Sequence, residues 1–235
     1  GQEEIPLRKP NAPKLPVVYP EIVLPEGSGP HYYVNAEEVS RLQTAYESGG
    51  KVAKSLANIV RQAQLAVGVP ITFPPRGGLH SSLYHCPDCQ RKLKPVLDES
   101  QQIEHHRCGK CDKHWSGFPY DDVYYTKVHA QNFKRGLLVA KAFTLTNEDK
   151  YAEFVRDLLV GYADRYRGYK RTKGILSPGR YGHICSTDHE AGSLMMQYLG
   201  PMYDMTGHHP CFTSADHRHL KGDMIDPMMT YFDTA

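Results

Sequence analysis

YHCPDCQRK at residues 84–92 and RCGKCDKHW at residues 107–115 are the most specific patterns in this chain. They follow the spacing C-x2-C-x18-C-x2-C. Two close pairs of cysteines, joined by a segment long enough to form a hairpin, gather four thiolates at one point, as in a tetrahedral zinc site. Four thiolates leave no open position for water, so we expect structural zinc. The predicted ligands are Cys86, Cys89, Cys108 and Cys111.

Other arrangements of these side chains stay open at this point. In an exported protein the four cysteines would form two disulfides instead. A nearby histidine would replace one cysteine as a ligand, and the candidates are His85, His105, His106 and His114. Cys185 and Cys211 are predicted to be free thiols, with a disulfide between them as the alternative.

Outside segment 83–118 the sequence predicts helices. Apolar residues follow the i, i+3, i+4, i+7 pattern throughout 148–167, and a helix at about 126–145 precedes it, which predicts an antiparallel hairpin. Further helices are predicted at about 189–206 and 214–232. Capping boxes are predicted at the N-termini of three helices, and Gly49-Gly50 is expected to divide the first helical region into two pieces. The predicted capping pairs are Asn35/Glu38, Thr146/Asp149 and Thr213/Asp216.

Composition limits the classes of partner. The formal net charge is only +2 and no lysine/arginine block occurs, which disfavours binding by phosphate neutralisation. No apolar run reaches the roughly 18 residues that span a bilayer. The 16 tyrosines and 13 histidines suit a solvated groove that stacks sugars and moves protons; for any single one the alternative is a half-buried aromatic side chain on a helix. No signal peptide is visible, but the start GQEEIPLRKP fits a chain that begins just past a removed leader, so we expect a periplasmic or secreted protein.

Two longer stretches carry a family resemblance. HWSGFPYDDVYYTKVHAQNF at 114–133 leads from the second cysteine pair through a G-x-P-Y-D turn into a histidine-bearing helix, and TNEDKYA and YADRY follow at 146–152 and 162–166. GRYGHICSTDHEAGSLMMQYLGPMYDM at 179–205 adds a glycine-arginine turn and an acidic helix. Over about 36–232 the chain resembles the N-terminal helical region of heparinase II/III-like polysaccharide lyases.

The resemblance implies an (α/α) toroid and cleavage of uronic-acid polysaccharides by β-elimination. We therefore predict a mainly α fold: helical hairpins of an incomplete (α/α) toroid over 35–235, with a small β-rich zinc-ribbon insert at 83–118. A bundle or a solenoid is the alternative. Residues 1–34 are predicted to form an extended strap, because seven prolines fall within 1–30.

In this family an Asn-His pair and a catalytic tyrosine usually follow the region that resembles 214–232. No Asn-His dipeptide occurs in this chain. We therefore expect the N-terminal part of a longer lyase, inactive by itself, whose partners are an acidic polysaccharide and the missing C-terminal part. The alternative is a shortened relative that has lost the chemistry.

β-Elimination needs a group that neutralises the uronate carboxylate, a base, and an acid for the leaving oxygen. The histidine-bearing helix offers a cleft-facing set with His129 as a catalytic residue; its alternative role is a helix turn that satisfies its own backbone. The substrate-binding residues of this set are Tyr124, Tyr125 and Asn132.

A second set lies in and after the glycine-flanked loop near residue 181. Its predicted catalytic residues are Tyr181, His183 and His189, and its predicted substrate-binding residues are Arg180 and Glu190. A loop between toroid helices opens on the cleft, which favours a functional role for Arg180, Tyr181 and His183. His189 and Glu190 begin a helix, so simple capping is their alternative role.

Two further functions compete with the lyase. One is a non-catalytic carbohydrate-binding or scaffold module. The other is a zinc-ribbon nucleic-acid-binding protein, which needs a basic ribbon with an exposed aromatic side chain. The ribbon mixes six basic residues with five acidic ones, so we expect neither a nucleic-acid nor a membrane partner. These charged residues are Arg91, Lys92, Lys94, Arg107, Lys110 and Lys113 against Asp88, Asp98, Glu99, Glu104 and Asp112.

Overall fold

The computed structural model of the chain describes residues 33–169, residue 184 and residues 194–228. Over this part the protein is mainly helical with one small three-stranded antiparallel sheet, which confirms the predicted fold class at that level. The predicted N-terminal strap lies outside the described residues except for Tyr33 and Val34. None of the helices in the described ranges combines the length and apolarity needed to cross a membrane.

The first two helices are separated by glycines, as predicted. Helix α1 spans Ala36–Glu47 and helix α2 spans Gly50–Val67. The side chain of Asn35 accepts a hydrogen bond from the backbone N–H of Glu38 (2.9 Å), and the Glu38 carboxylate accepts one from the N–H of Asn35 (3.0 Å), so this capping box is confirmed. Gly49 and Gly50 have φ of 78° and 90°, which only glycine adopts without strain, and this ends α1.

Helices α3 (Tyr120–Thr146) and α4 (Asp149–Tyr166) form the predicted hairpin. The turn depends on Asn147, which has the left-handed φ of 53° that asparagine tolerates. The predicted capping box at Thr146/Asp149 is wrong. Because α3 continues through Thr146, its hydroxyl donates back to the Ala142 carbonyl (3.0 Å), and the α4 N-cap has no side-chain hydrogen bond. Helix α3 also begins earlier than expected.

The remaining described helices follow the predicted spans. A π-helical turn at Met195–Leu199 continues into α5 (Gly200–Thr206). Helix α6 (Ser214–Leu220) starts at the predicted capping box of Thr213 and Asp216 and continues into a second π-helical turn, Lys221–Ile225. Their apolar residues join the main core around α3 and α4.

The α3–α4 hairpin forms the centre of that core. Gly136 of α3 permits a close approach, since a Cβ there would lie 2.4 Å from both Leu158 Cδ2 and Met202 Sδ. Rings from both helices stack in the interior, with Phe133 and Tyr162 4.6 Å apart between centroids. Burial of this apolar surface is the main source of stability in a domain of this kind.

A connector, residues 70–80, runs from α2 towards the sheet along α3. Gly78 lies so close that a Cβ would be 2.8 Å from the Thr126 Cα. The backbone N–H of Leu79 donates to the carbonyl of Asp122 (3.1 Å), and that of Gly78 donates to the carbonyl of Ile184 (2.9 Å). The connector therefore covers part of α3, and the helical periodicity of the sequence does not show which segment covers it.

Candidate metal centre and the adjoining polar clasp

The four predicted cysteine ligands lie together. Their Sγ atoms are all within 4.8 Å of one another, with Cys89 and Cys108 3.3 Å apart and Cys86 and Cys111 3.6 Å apart. All four are free thiols, so the alternative of two disulfides is wrong for this structure. The geometry and the donor atoms allow the cluster to hold one metal ion, and a four-thiolate set suits zinc.

Two equivalent turns place the sulfurs. The N–H of Gln90 donates to the Cys86 carbonyl (2.9 Å), and the N–H of Asp112 donates to the Cys108 carbonyl (3.0 Å). Both Gln90 and Asp112 have left-handed φ, at 56° and 59°. The sheet joins the turns in the antiparallel order β1 (Leu93–Leu97), β2 (Ile103–Cys108) and β3 (His114–Trp115), and Leu93 pairs with Cys108.

The pKa values of the cysteine thiols are shifted unequally, in part by hydrogen bonds from backbone N–H groups. Those of Cys111 and Lys110 lower the pKa of the Cys108 thiol to about 6. Burial acts to raise the pKa of Cys86, but hydrogen bonds from the N–H groups of Cys89 and Asp88 outweigh it and the pKa is lowered. The pKa of Cys89 rises to about 12, because its neighbouring sulfurs oppose the N–H of Arg91 and prevail. Close thiolates repel one another, and a bound cation would remove that repulsion.

A buried histidine joins the sheet to α3. The His106 ring is fully buried; its Nδ1 lies 2.7 Å from the Tyr84 hydroxyl and its Nε2 lies 2.9 Å from Asp121 Oδ1. Asp121 lies in the first turn of α3 and also accepts from the N–H of Gly117 (3.1 Å). His106 is therefore not a metal ligand; it fixes the metal-binding sheet to the hairpin.

A second polar group, the clasp, consists of Asn132, Tyr162 and His129. Asn132 Nδ2 donates to the Tyr162 hydroxyl (3.1 Å), and that hydroxyl donates to His129 Nδ1 (3.0 Å). His129 Nε2 then carries the proton and donates to the carbonyl of Arg76 (3.0 Å), while Asn132 Nδ2 also donates to that of Thr72 (2.8 Å). The clasp thus binds α3 and α4 to the connector.

This arrangement corrects the predicted orientation of His129 and Asn132. The two residues share a face of α3 as expected, but they are 1% and 6% exposed and face the connector rather than an open cleft. The alternative, a helix turn that satisfies its own backbone, is also wrong, since their partners lie outside α3. Tyr124 and Tyr125 lie within α3 rather than before it, and both are half-buried.

Arg76, which sequence reasoning missed, lies beside these tyrosines. Its side chain is 46% exposed and makes a bidentate ion pair with the buried Asp122 carboxylate (2.7 and 3.0 Å). Its guanidinium lies 5.3 Å from the centre of the Tyr125 ring. The turn-forming sequence PPRGG at 74–78 was the available signal, because it marks an irregular segment that presents one charged residue.

The second predicted set lies outside the described residues. It comprises Arg180, Tyr181, His183, His189 and Glu190. Ile184, which is described within this region, is buried and accepts the hydrogen bond from Gly78 of the connector.

No protein-family model matches this chain, and the search of curated proteins also returned no match. The fold and the site define the class of protein by themselves. It is a mainly helical protein with a small antiparallel sheet whose four-cysteine cluster could hold a metal ion.

The clasp predicts a pH-dependent stability. Burial lowers the pKa of His129 to about 4 from 6.5, although its hydrogen bond to the Arg76 carbonyl acts in the opposite direction. As the pH falls below about 6.5, the unfolded chain gains a proton at this ring that the native protein does not. The free energy of unfolding should therefore fall by up to roughly 1.4 kcal/mol per pH unit until about pH 4 from this residue.

Urea titrations of the wild type and of His129→Gln between pH 4.5 and pH 8 measure this contribution. Both proteins keep the cysteine cluster and every other titratable group, so the difference between the pH dependences of their unfolding free energies isolates His129. Parallel slopes for the two proteins would contradict the assigned protonation state.

Proposed function

We propose that this chain is the zinc-braced N-terminal helical part of a polysaccharide lyase that acts on uronic-acid-containing polysaccharides. The observation that carries the proposal is that the four-cysteine cluster and the histidine-bearing hairpin adjoin each other through His106 and Asp121. These are the two features on which the resemblance to heparinase II/III-like lyases depends. Completion of an (α/α) toroid and an exported location belong to the same proposal.

Zinc is the proposed occupant of the cluster because four thiolates in one place are its preferred structural ligands. When bound, the ion supplies a rigid cross-link between the two turns and no reaction step. Cys86, Cys89, Cys108 and Cys111 would hold it, and His106 would transmit that rigidity to the first turn of α3.

The described surface offers an anion-binding feature close to the clasp. The guanidinium of Arg76 lies against Tyr125, and Tyr124 is adjacent in sequence. A guanidinium binds a uronate carboxylate through charge-assisted hydrogen bonds, and a tyrosine ring packs against the apolar face of a sugar. Asp122 offsets part of the charge of Arg76, so the site suits a single carboxylate on a neutral ring better than a densely charged phosphate backbone.

The clasp does not supply the base. His129 has both ring nitrogens hydrogen-bonded to protein atoms. We therefore assign the proton transfers of β-elimination to Tyr181, His183 and His189 and to residues of a longer natural protein, with Arg180 and Glu190 as further contacts to substrate. This chain alone is expected to bind acidic oligosaccharide and to release little unsaturated product.

The second candidate function is a non-catalytic carbohydrate-binding module, and the burial of His129 and Asn132 favours it. A chain that binds acidic oligosaccharide but never gives unsaturated-uronate absorbance, even when extended to its full natural length, would support the module. The ribbon does not support the nucleic-acid alternative, because two of its basic residues are paired with carboxylates. Lys113 pairs with Asp88 (2.6 Å), and Arg107 pairs with Asp112.

Arg76→Ala is expected to weaken the binding of acidic oligosaccharides by about tenfold or more, because a charge-assisted hydrogen bond contributes roughly 1.5–3 kcal/mol. Isothermal titration against oligogalacturonate, oligoalginate and a heparan oligosaccharide measures the loss. Arg61→Ala is the matched control, since Arg61 lies on the exposed face of α2 and bonds only to Asn58 among the described residues. Equal affinities of the two variants, with native thermal unfolding in both, would refute the assignment.

A further inference from the structure

A histidine that contacts two carboxylates joins α6 to α4. His219 lies in the last turn of α6, and its Nε2 is 2.8 Å from Oδ1 of Asp164, which lies in the last turn of α4. Its Nδ1 is 2.9 Å from Oδ2 of Asp223, which lies in the second π-helical turn. The ring therefore bridges two segments whose contacting residues are 55 positions apart in the chain.

This geometry favours the doubly protonated ring. A neutral imidazole has one N–H, so it donates to one carboxylate and directs a lone pair at the other, whereas the imidazolium donates to both. The hydrogen bond to Asp223, and then that to Asp164, raise the pKa of His219 above 6.5 against the opposing effect of partial burial. Lys221, two residues on, pairs with Asp226 (2.7 Å) and so leaves both carboxylates to other cations.

The charges around the ring balance only when it is protonated. Arg167, which follows α4, donates to Asp223 Oδ1 (2.7 Å) and to the Gly222 carbonyl (2.7 Å). With His219 protonated, two cations therefore face two carboxylates. With His219 neutral, Asp164 has no ion-pair partner among the described residues. An unpaired carboxylate at a helix C-terminus also opposes the helix dipole, so loss of the proton destabilises the end of α4.

We propose that His219 is a pH-dependent latch that fastens α6 and the second π-helical turn to the end of α4 in acid and releases them above neutral pH. A group whose pKa rises on folding contributes its full stability below its unfolded value, here 6.5, and loses it as the pH rises through the folded value. His129 acts in the opposite direction. Leu220 and Met224 on the latched segment are each 1% exposed and stay packed, so release loosens the segment without detaching it. The proposal is independent of the proposed function.

NMR of the full chain tests the protonation state. Spectra of the His219 ring between pH 5 and pH 9 give its titration midpoint and the number of protonated nitrogens. We expect a midpoint above 6.5 with both nitrogens protonated below it, and a midpoint closer to 6.5 in Asp164→Asn. His80 is the control, because its ring bonds to Ser82 and to no carboxylate among the described residues, so its midpoint should be the same in both proteins. A wild-type midpoint for His219 at or below 6.5 would overturn the proposal.

Hydrogen exchange supplies a readout that a merely solvated histidine would not change. Protection of the backbone amides of 219–225, corrected for the intrinsic exchange rate, should fall from pH 6 to pH 8.5. The His219 side chain is 31% exposed, so solvent screening limits the fall to about twofold to fivefold. His219→Gln should have the lower protection at both pH values, and His80→Gln should behave as the wild type. Equal wild-type protection at the two pH values, or a fall that persists in His219→Gln, would contradict the latch. If His219→Gln does not fold, the wild-type comparison and Asp164→Asn still decide.

Discussion

Replacing Cys108 with serine is expected to abolish stoichiometric zinc binding and to unfold segment 84–115. This segment has a small apolar cluster and three short strands, and units below about 40 residues usually need a metal or disulfides to fold. Structural zinc contributes about 10–16 kcal/mol of apparent binding free energy in comparable peptides. Serine removes a thiolate whose pKa the backbone N–H groups of Cys111 and Lys110 already lower, so one loss should break the site.

The single tryptophan of the chain provides the measurement. Trp115 lies at the end of β3 and packs against the small apolar cluster that includes Cys86 and Cys108, with its indole nitrogen buried. Its fluorescence emission should shift to longer wavelength in Cys108→Ser, and in wild type treated with a chelator, because water reaches the ring. Elemental analysis should find about one zinc per wild-type chain.

Cys211→Ser is the control for loss of a thiol. Cys211 is a half-buried free cysteine next to the main core, outside the four-cysteine cluster. Its replacement should leave both zinc content and Trp115 emission unchanged. The α3–α4 hairpin should keep its helical circular dichroism in both variants, because its core is distinct from that of the sheet. Full zinc content in Cys108→Ser would contradict the four-thiolate site.

The features predicted correctly from sequence are those set by short-range rules. The C-x-x-C spacing identified all four members of the cluster because each turn fixes its own pair of sulfurs. Apolar periodicity identified the α3–α4 hairpin for the same reason, since side-chain spacing along a helix is local. The capping box at Asn35 needs only a three-residue interval and was also correct.

One local prediction is wrong, the capping box at Thr146/Asp149, because α3 continues through Thr146. The incorrect predictions about the site concern contacts between distant segments. His129 and Asn132 bond to carbonyls that lie 53 and 60 residues away, on a connector without regular periodicity. A helical pattern shows that the two side chains share a face, but it does not show which segment covers that face. Arg76 was not predicted as a site residue for the same reason, since its position depends on an ion pair with Asp122 of α3.

Tyr162→Ala is expected to lower the free energy of unfolding by roughly 3–5 kcal/mol, the usual cost of removing a buried aromatic ring. The Tyr162 ring is fully buried, stacks on Phe133 at 4.6 Å and meets Phe73 of the connector edge-on at 5.1 Å. Its hydroxyl is the central member of the clasp. Chemical denaturation measures the loss, which is a large share of the 5–15 kcal/mol typical of a domain.

Tyr162→Phe separates the ring from the hydroxyl. It keeps the stacking but leaves His129 Nδ1 and one Asn132 donor without this partner, which should cost about 1–3 kcal/mol. Backbone amides of Gly78 and Leu79 should exchange faster in both variants, because His129 and Asn132, whose side chains hold the connector, lose a shared partner. In a double-mutant cycle, Tyr162→Phe and His129→Gln should be non-additive by at least ~0.5 kcal/mol. Additive losses with unchanged exchange would show that the clasp does not hold the connector.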